Sequence, residues 1–246
     1  FPYTTLFRSI PAGQRWWRPG QPGWAGGDNF PCLFWAPALK RWVCYFRTNI
    51  ERGPGQRRER GVGRSASADF QVWEPHELAL HAQADRLTAL GYGKQDYYQL
   101  QAWPLGNAFL GVLSVFYWDQ DRVHLELAWS PDTRHWERIA PGRDLVPHGP
   151  LGRPGNGCRY AAMRPFVVGE RVRIYYGADD GRHNADPNRA GGLYLAEFTA
   201  HRLAGLQGTG TVLTRPLPLA PGTDPQSLHV EAQGAVTVRI VPAGEG

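Results

Sequence analysis

The sequence predicts an all-β protein built from repeated four-stranded units of the β-propeller type. Three observations support this fold class: frequent turn-forming residues, abundant aromatic residues, and a motif that recurs among strand-like segments. The 246 residues include 30 Gly and 21 Pro. Because Pro removes a backbone donor and Gly costs backbone entropy, this composition excludes long helices. The 10 Trp, 10 Tyr and 10 Phe residues favour half-buried strand positions.

A motif, Ser-x-Asp-x-x-x-Trp, occurs twice, and its two copies lie 63 residues apart. The copies are Ser67, Asp69 and Trp73, and Ser130, Asp132 and Trp136. Ser hydroxyls and Asp carboxylates hydrogen-bond the backbone of tight turns, and Trp provides a large apolar surface. We therefore predict a structural role for the motif. Its Ser and Asp would hold the turn between the third and fourth strands of a unit, and its Trp would pack between neighbouring units.

Strand-like runs precede the motif in pairs separated by short turns. The runs are residues 29–36 and 41–47, 97–103 and 108–118, and 159–168 and 171–177. A degenerate third copy of the later part of the unit lies at residues 192–198. Four strands per unit are typical of a propeller blade, so the sequence predicts about three blades. Residues 77–90, which could form a turn or two of helix, are interpreted as a surface connection after the outer strand.

The chain is predicted to have three parts. Residues 1–9 match, codon by codon, the translation of a common sequencing-adapter end; we interpret them as non-native and exclude them from the fold prediction. Residues 10–206 are predicted to form the blades of an incomplete ring, because three blades leave exposed sheet edges. We expect further N-terminal blades in the full-length protein. Residues 207–246 break the repeat and are predicted to be closing strands or the start of a C-terminal β-sandwich.

Composition and charge exclude several classes of protein. The formal net charge of +5 comes almost wholly from arginine, and only residues 52–64 are locally rich in it. Glutamates interrupt that segment, so a solvated loop is favoured over a polyanion-binding patch. No apolar run approaches the roughly 18 residues of a membrane helix. We therefore predict no nucleic-acid and no membrane partner; the oligomeric state and the cellular compartment are not predicted.

The cysteine and histidine spacings predict no cofactor and no metal site. The three cysteines form no Cys-x-x-Cys pair, which excludes a zinc ribbon and a redox motif. Cys32 and Cys44 lie in apolar runs and are predicted to be buried thiols. His76, His81 and His148 lack the spacing of metal ligands.

Two segments carry a resemblance to a known family. Residues 123–138, VHLELAWSPDTRHWER, and residues 168–177, VGERVRIYYG, resemble the arabinanase, invertase and levansucrase superfamily. More closely, they resemble a bacterial group described as glycosyl-hydrolase-like five-bladed β-propellers. The likeness extends from about Asp28 through Gly181 and into residues 210–217. It implies a five-bladed ring, of which this chain holds a part, followed by a β-sandwich.

The resemblance also implies a site in a funnel on one face of the ring. Such a funnel is lined by the starts of the innermost strands and by the loops after the second strands. Catalytic candidates at these positions are Asp28 and Asp96. Substrate-binding candidates are Gln95, Tyr97, Asn156, Arg159, Tyr160, Asp179, Asp180 and His183. Aromatic faces, carboxylates and arginines suit sugar recognition.

Hydrolysis of a glycosidic bond needs two carboxyl groups at a defined separation, about 5–5.5 Å for retention or about 6.5–9.5 Å for inversion. Asp28 and Asp96 are the candidate pair; the alternative is that they cap loops or bind sugar hydroxyls. Asn156 stands where relatives tend to have Asp, and an amide cannot transfer a proton. Asp179, Asp180 and His183 could bind a cation, although a solvated turn is the favoured interpretation.

The predicted function is that of a carbohydrate-active propeller of glycoside-hydrolase type. It would bind a glycan in the funnel, and the full-length protein would be a candidate for cleaving a glycosidic bond. The 246-residue chain itself is expected to be inactive. Two alternatives stay open: a non-catalytic sugar-binding or scaffold propeller, and a glycoside phosphorylase. For the second, Arg159 and Arg164 are the only indication of an oxyanion site.

Overall fold

The computed structural model describes residues 24–25, 31–50, 59–82, 89–106, 108–199, 202–205, 209–211 and 233–237. The chain divides into two units, Phe1–Ala204 and Gly205–Gly246. The predictions for residues 1–9, and most of the prediction for residues 207–246, lie outside the described residues. All described strands belong to the first unit.

The first unit contains three antiparallel sheets, each formed mainly by strands that follow one another in the chain. The first sheet comprises β1 (Trp24–Ala25), β2 (Cys32–Ala36), β3 (Arg41–Ile50), β4 (Glu59–Ser67) and β5 (Glu77–His81). The second comprises β6 (Gln95–Leu105), β7 (Ala108–Tyr117), β8 (Arg122–Ser130) and β9 (Glu137–Arg138). The third comprises β10 (Arg159–Ala161), β11 (Phe166–Val168), β12 (Arg171–Asp179) and β13 (Gly191–Thr199).

Each sheet corresponds to one predicted blade. In the first sheet, β1 and β2 pair with different parts of β3, so together they form a broken innermost strand. In the third sheet, β10 and β11 pair with β12 in the same way. The all-β class and the three-blade partial propeller are thus confirmed.

The interpretation of residues 77–90 was wrong in one respect. Glu77–His81 is not a connection after the outer strand; it is the outer strand itself, β5, paired antiparallel with β4. Glu, Leu and Ala favour helix in isolation, which hid the strand. Pairing with the open edge of β4 overrides that local preference.

The first copy of the motif holds the turn after β4. The Ser67 hydroxyl accepts the Phe70 N–H at 2.9 Å and donates to the Val72 carbonyl at 2.6 Å. Asp69 Oδ1 accepts the N–H groups of Gln71 and Val72 at 2.8 and 2.9 Å. These bonds let Phe70 adopt a left-handed conformation, φ 65°, which is uncommon for a bulky residue.

The second copy repeats this geometry after β8. Ser130 Oγ accepts the Thr133 N–H at 2.8 Å, and Asp132 Oδ1 accepts the N–H groups of Arg134 and His135, both at 2.8 Å. Thr133 has φ 73°. Burial alone would raise the pKa of Asp132, but the hydrogen bonds from His135 and Arg134 outweigh it and hold the pKa below its usual range. The predicted role of the motif's Ser and Asp, which is to hold the turn between the third and fourth strands, is confirmed in both copies.

Trp136 packs between the first two blades, as predicted. Its side chain is buried and meets the Tyr45 ring edge-on, with 5.6 Å between ring centroids. The indole N–H donates to Tyr45 Oη at 3.1 Å, and Tyr45 Oη donates to the Thr133 carbonyl at 2.7 Å. The equivalent Trp73 is only half-buried and packs edge-on against Phe70 of its own turn.

The hydrophobic core lies between the blades. One cluster joins the first and second sheets and includes Phe34, Val43, Tyr45, Leu100 and Trp136. A second cluster joins the second and third sheets and includes Trp103, Val112, Leu125, Ile174 and Tyr176. Burial of these faces stabilises the blades against one another. Among the described residues, no helix is long and apolar enough to span a membrane.

Cys32 and Cys44 are buried thiols, as predicted, and Cys158 is buried as well. Burial raises the pKa of Cys32 to about 12 and that of Cys44 to about 12. Cys158, whose pKa burial raises to about 11, lies at the start of the third blade.

Candidate functional site

His183 is hydrogen-bonded through both ring nitrogens to tyrosines of two different blades. Tyr98 Oη of β6 lies 3.0 Å from Nε2, and Tyr160 Oη of β10 lies 2.9 Å from Nδ1. His183 itself belongs to the loop between β12 and β13. The cluster therefore forms where the inner strands of the second and third blades begin. We call Tyr98, Tyr160 and His183 the tyrosine–histidine cluster.

Tyr98 lies at a β-bulge of β6, on the same face of the strand as Asp96. In the β6–β7 ladder, Tyr97 pairs with Val115 and Gln99 pairs with Ser114, so Tyr98 is the extra residue. A bulge re-aims the side chains that follow it. Tyr98 itself packs edge-on against Phe116, the ladder partner of Asp96, with 5.7 Å between ring centroids.

The loop of the second blade anchors the loop that carries His183. The His183 N–H donates to the Asp121 carbonyl at 2.7 Å. The Asp121 carboxylate accepts the N–H groups of Asn184 at 3.0 Å and Ala185 at 2.9 Å. These bonds between two loops fix the imidazole relative to both tyrosines.

The tyrosine–histidine cluster is uncharged near neutral pH. Burial lowers the pKa of His183, and the positive charges of Arg189 and Arg60 lower it further. Burial raises the pKa of Tyr98 to about 12 and raises the pKa of Tyr160 as well. A neutral imidazole has one N–H and one lone pair. One phenol therefore donates to the ring and the other accepts from it.

Carboxylates and arginines surround the tyrosine–histidine cluster. Asp96 is fully buried, and its Oδ1 accepts the Arg60 N–H at 3.1 Å. The Arg60 guanidinium lies over the Tyr98 ring, 4.6 Å from the centroid. On the other side, Asp179 pairs with Arg189 at 3.1 Å. The combination of hydroxyls, aromatic faces and paired charges is suited to polar, uncharged ligands.

Asp96, Tyr160, Asp179 and His183, four of the predicted site residues, lie in or beside this cluster. Asp179 Oδ1 also accepts the Cys158 N–H at 2.7 Å. Asp180, the first residue after β12, accepts the Ala190 N–H at 2.9 Å. Asp179 thereby ties the end of β12 to the residue before β10, and Asp180 shapes the loop between β12 and β13.

Four other predicted site residues lie elsewhere. Gln95 and Tyr97 are buried inside the second blade, where Arg138 donates to Gln95 Oε1 at 2.7 Å and to Tyr97 Oη at 3.2 Å. Arg159 donates to the Gly155 carbonyl at 2.9 Å and to Asn156 Oδ1 at 3.2 Å. These side chains support the loops and strands behind the cluster. Asp28 lies outside the described residues, so its separation from Asp96 stays a prediction.

Tyr98 and Arg189 were not among the predicted site residues. Alternation along the start of β6 puts Tyr98 on the same face as the predicted Asp96, and this was the available signal.

Arg60 and Asp121 lie after second strands, in the segments that the resemblance implied would line the funnel, but neither was named as a binding residue. Arg60 also lies in the arginine-rich segment 52–64, which local composition assigned to a solvated loop. That prediction was wrong for residues 59–64, which belong to β4 and are mostly buried.

We expect the pKa of His183 to make stability depend on pH. Its folded-state pKa lies below the value of about 6.5 expected in the unfolded chain, so the unfolded state binds more protons in mildly acid solution. The resulting stabilisation is fully present above about pH 6.5 and is lost as the pH falls towards the folded-state pKa. Urea midpoints from about pH 7.5 to about pH 5.5 should fall more for the wild type than for His183→Gln. A His183→Gln profile equal to that of the wild type would contradict the assignment.

Comparison with known proteins supports the fold. No known family and no curated protein matches the sequence. The chain is similar in structure to Zg3597, a family 117 glycoside hydrolase of the marine bacterium Zobellia galactanivorans, with a TM-score of 0.53 and 13% identity over 71% of this chain and 52% of that one. It is also similar to a thermostable family-43 glycoside hydrolase, with a TM-score of 0.51 and 19% identity over 73% of this chain and 50% of that one.

A third similar structure is described simply as a glycoside hydrolase, with a TM-score of 0.51 and 14% identity over 70% of this chain and 47% of that one. The chain thus spans about half the length of the solved structures it matches. At these identities the likeness establishes the fold, which is that of the glycoside hydrolases of propeller type.

Proposed function

We propose that this chain is part of a carbohydrate-active propeller and that a glycan binds at the tyrosine–histidine cluster. The observation that carries the proposal is the double hydrogen bond of His183 to Tyr98 and Tyr160. It brings hydroxyl groups and aromatic rings from two blades to the position where the inner strands begin. The similarity in fold to glycoside hydrolases supports the choice of a carbohydrate.

The chemistry around the cluster matches what sugars require. Sugar hydroxyls both donate and accept hydrogen bonds, and the phenols and imidazole can exchange these roles because the cluster is neutral. The carboxylate of Asp179 and the guanidinium of Arg189, 3.1 Å apart, would serve as acceptor and donor at the edge. Aromatic faces stack on the C–H surface of a sugar ring.

We further propose that the full-length protein cleaves a glycosidic bond of the glycan it binds. Asp96 would supply one of the two carboxyl groups and Asp28 the other. A non-catalytic sugar-binding role is the alternative, favoured by the fact that Asp96 is fully buried and accepts a main-chain N–H. Phosphorolysis is less well supported, because Arg159 uses its guanidinium on main-chain carbonyls and Asn156.

Binding is tested first, with the 246-residue chain and an array of immobilised neutral oligosaccharides followed by calorimetry. We expect Tyr160→Ala to lower the affinity for the best-binding oligosaccharide by at least about tenfold, equivalent to about 1.4 kcal/mol, because the substitution removes a phenol and an aromatic face. Tyr175→Ala is the matched control. Tyr175 lies on the neighbouring β12 and stacks on Phe166, 5.9 Å between centroids, so its loss should leave affinity unchanged. Equal loss in both variants would argue against a site at the cluster.

Turnover is tested separately in the full-length protein. Asp96→Asn should abolish release of free sugar while glycan affinity is kept, whereas the 246-residue chain should release none. If the full-length wild type binds but releases no sugar, the non-catalytic alternative holds. Turnover by the 246-residue chain would contradict our expectation that it is inactive.

A further inference from the structure

A second cluster, independent of the proposed glycan site, joins two histidines to one carboxylate. His124 lies on β8, and Asp144 and His148 lie in the segment between β9 and β10. His124 Nδ1 is 2.7 Å from Asp144 Oδ1, and His148 Nδ1 is 2.6 Å from Asp144 Oδ2. The two imidazole rings are 4.3 Å apart between centroids. We call these three residues the His–Asp–His cluster.

The hydrogen bonds of His148 call for a positive charge beside Asp144. Its Nε2 lies 2.8 Å from the Gly157 carbonyl, which can only accept a hydrogen bond, so Nε2 carries a proton. In a neutral ring Nδ1 is then a lone pair. That lone pair would face Asp144 Oδ2, a carboxylate oxygen, at 2.6 Å. The lone pairs of Nδ1 and Oδ2 repel each other at this distance unless His148 carries a second proton or both atoms bind a metal cation.

The His–Asp–His cluster is enclosed, so its polar atoms must satisfy one another. The His148 side chain is only 7% exposed, and the Tyr117 ring lies 4.7 Å from the His124 ring between centroids. A cation shared by the two imidazoles and the carboxylate would occupy lone pairs of more than one residue at once, which a single proton on His148 does not.

His124 has the same difficulty at its other nitrogen. If Nδ1 donates its proton to Asp144, Nε2 is a buried lone pair, and it has no hydrogen-bond partner among the described residues. A buried acceptor without a partner is costly. A cation that His124 binds through Nε2 would satisfy this lone pair, and His148 would bind the same cation through Nδ1.

We propose that His124, Asp144 and His148 bind one divalent transition-metal ion, with Zn²⁺ the best match. One potential ligand atom from each residue lies within 4.8 Å of the other two. Two imidazoles and a carboxylate are the ligand set that Zn²⁺ accepts with a fourth position left for water. Imidazole ligands disfavour Mg²⁺ and Ca²⁺, which prefer oxygen.

The position of the His–Asp–His cluster gives the ion a structural role. His148 bonds to the Gly157 carbonyl, and the Gly157 N–H donates to the Asp179 carbonyl at 2.6 Å. The next residues begin β10, which carries Tyr160. A bound ion would therefore tie the segment between the second and third blades to β8 and fix the start of the third blade.

Local spacing does not reveal this site, and we predicted no metal. His76 and His81, the other histidines considered with His148, lie in a different blade. The three ligands are separated by twenty and four residues in the chain, and only folding brings β8 against the segment that carries the other two.

The test is a Zn²⁺ titration of the full chain after removal of metals with a chelator. We expect calorimetry to give one ion per chain, and Co²⁺ to give the visible absorption bands of a tetrahedral site. Asp144→Asn and His124→Ala should each weaken Zn²⁺ binding. The loss should exceed the roughly 10–100-fold by which loss of a hydrogen-bond partner outside the ligand set lowers metal affinity. His135→Ala is the matched control. Its Nδ1 is 2.6 Å from Asp132 Oδ2, but the pair is exposed and contains a single histidine, so Zn²⁺ affinity should be unchanged.

A measurement on the wild type alone guards against variants that do not fold. The nitrogen chemical shifts of the His124 and His148 rings, measured by NMR, should change when Zn²⁺ is added, and those of His135 should not. The proposal is overturned if the wild type takes up no Zn²⁺; finding His148 as an imidazolium would then show that the required positive charge is a proton. It is also overturned if Asp144→Asn, folded as judged by circular dichroism, binds Zn²⁺ as tightly as the wild type. Neither result depends on whether the protein binds a glycan.

Discussion

Trp136→Ala is expected to lower the free energy of unfolding by about 3–5 kcal/mol, the range for removing a large buried aromatic side chain. The ring is 6% exposed and packs between the first and second blades. Its loss leaves a cavity at that interface, and it also leaves Tyr45 Oη without the indole donor. Urea unfolding followed by tryptophan fluorescence and by circular dichroism measures the change.

Trp73→Ala is the matched control, because Trp73 occupies the same position of the other motif copy. It is half-buried, so we expect a loss of only about 1–2 kcal/mol from the smaller apolar area. Equal losses for the two variants would show that Trp136 is not special to the interface between blades.

Arg138→Met is expected to destabilise the chain by about 3–5 kcal/mol, because it leaves a buried charge without its partner. The Arg138 and Glu126 side chains are 4% and 1% exposed, and Arg138 Nε donates to Glu126 Oε2 at 2.8 Å. The same guanidinium donates to Gln95 Oε1 at 2.7 Å and to Tyr117 Oη at 2.8 Å. Removing it therefore releases the interactions with these three side chains and with Tyr97 at once.

A double variant separates the lost ion pair from the lost volume. Arg138→Met combined with Glu126→Leu should recover part of the stability, because no buried charge is then left unpaired. Arg134→Met is the exposed control; Arg134 is 48% exposed in its pair with Glu77, and such pairs contribute about 0–1 kcal/mol. A loss as large for Arg134→Met as for Arg138→Met would contradict the assigned role of burial. Urea midpoints of the four proteins provide the comparison.

Local sequence was sufficient for the elements of the fold whose stability is local. The turn held by Ser130 and Asp132 was predicted because its hydrogen bonds join residues at most three positions apart. The strand pairs around short turns were predicted for the same reason. The exception, β5, has a helix-favouring composition and is a strand only because the edge of β4 is available for pairing.

The geometry of the candidate site depends on contacts between blades, so local sequence predicts only part of it. Four predicted residues do lie together at one end of the blades. Asp96 and Tyr160 are near the starts of β6 and β10, and Asp179 and His183 are at and after the end of β12. The prediction, however, took Gln95, Asp96 and Tyr97 together as the start of an innermost strand, whereas it is Tyr98, on the same face of β6 as Asp96, that bonds to His183. Tyr97 is bound to Arg138, which lies about forty residues later in the chain.

The sequence by itself thus determined the all-β class, the repeated blades and the motif turns, since these follow from residue spacing and hydrogen bonds along the chain. Only the tertiary structure decided which side chains meet: the pairing of Tyr98 and Tyr160 through His183, the buried ion pair of Arg138, and the His–Asp–His cluster. Tyr98 and Tyr160 belong to different blades, and the members of the other two groups meet only because β8 pairs with β9 and packs against the segment that follows, so no local pattern encodes these contacts.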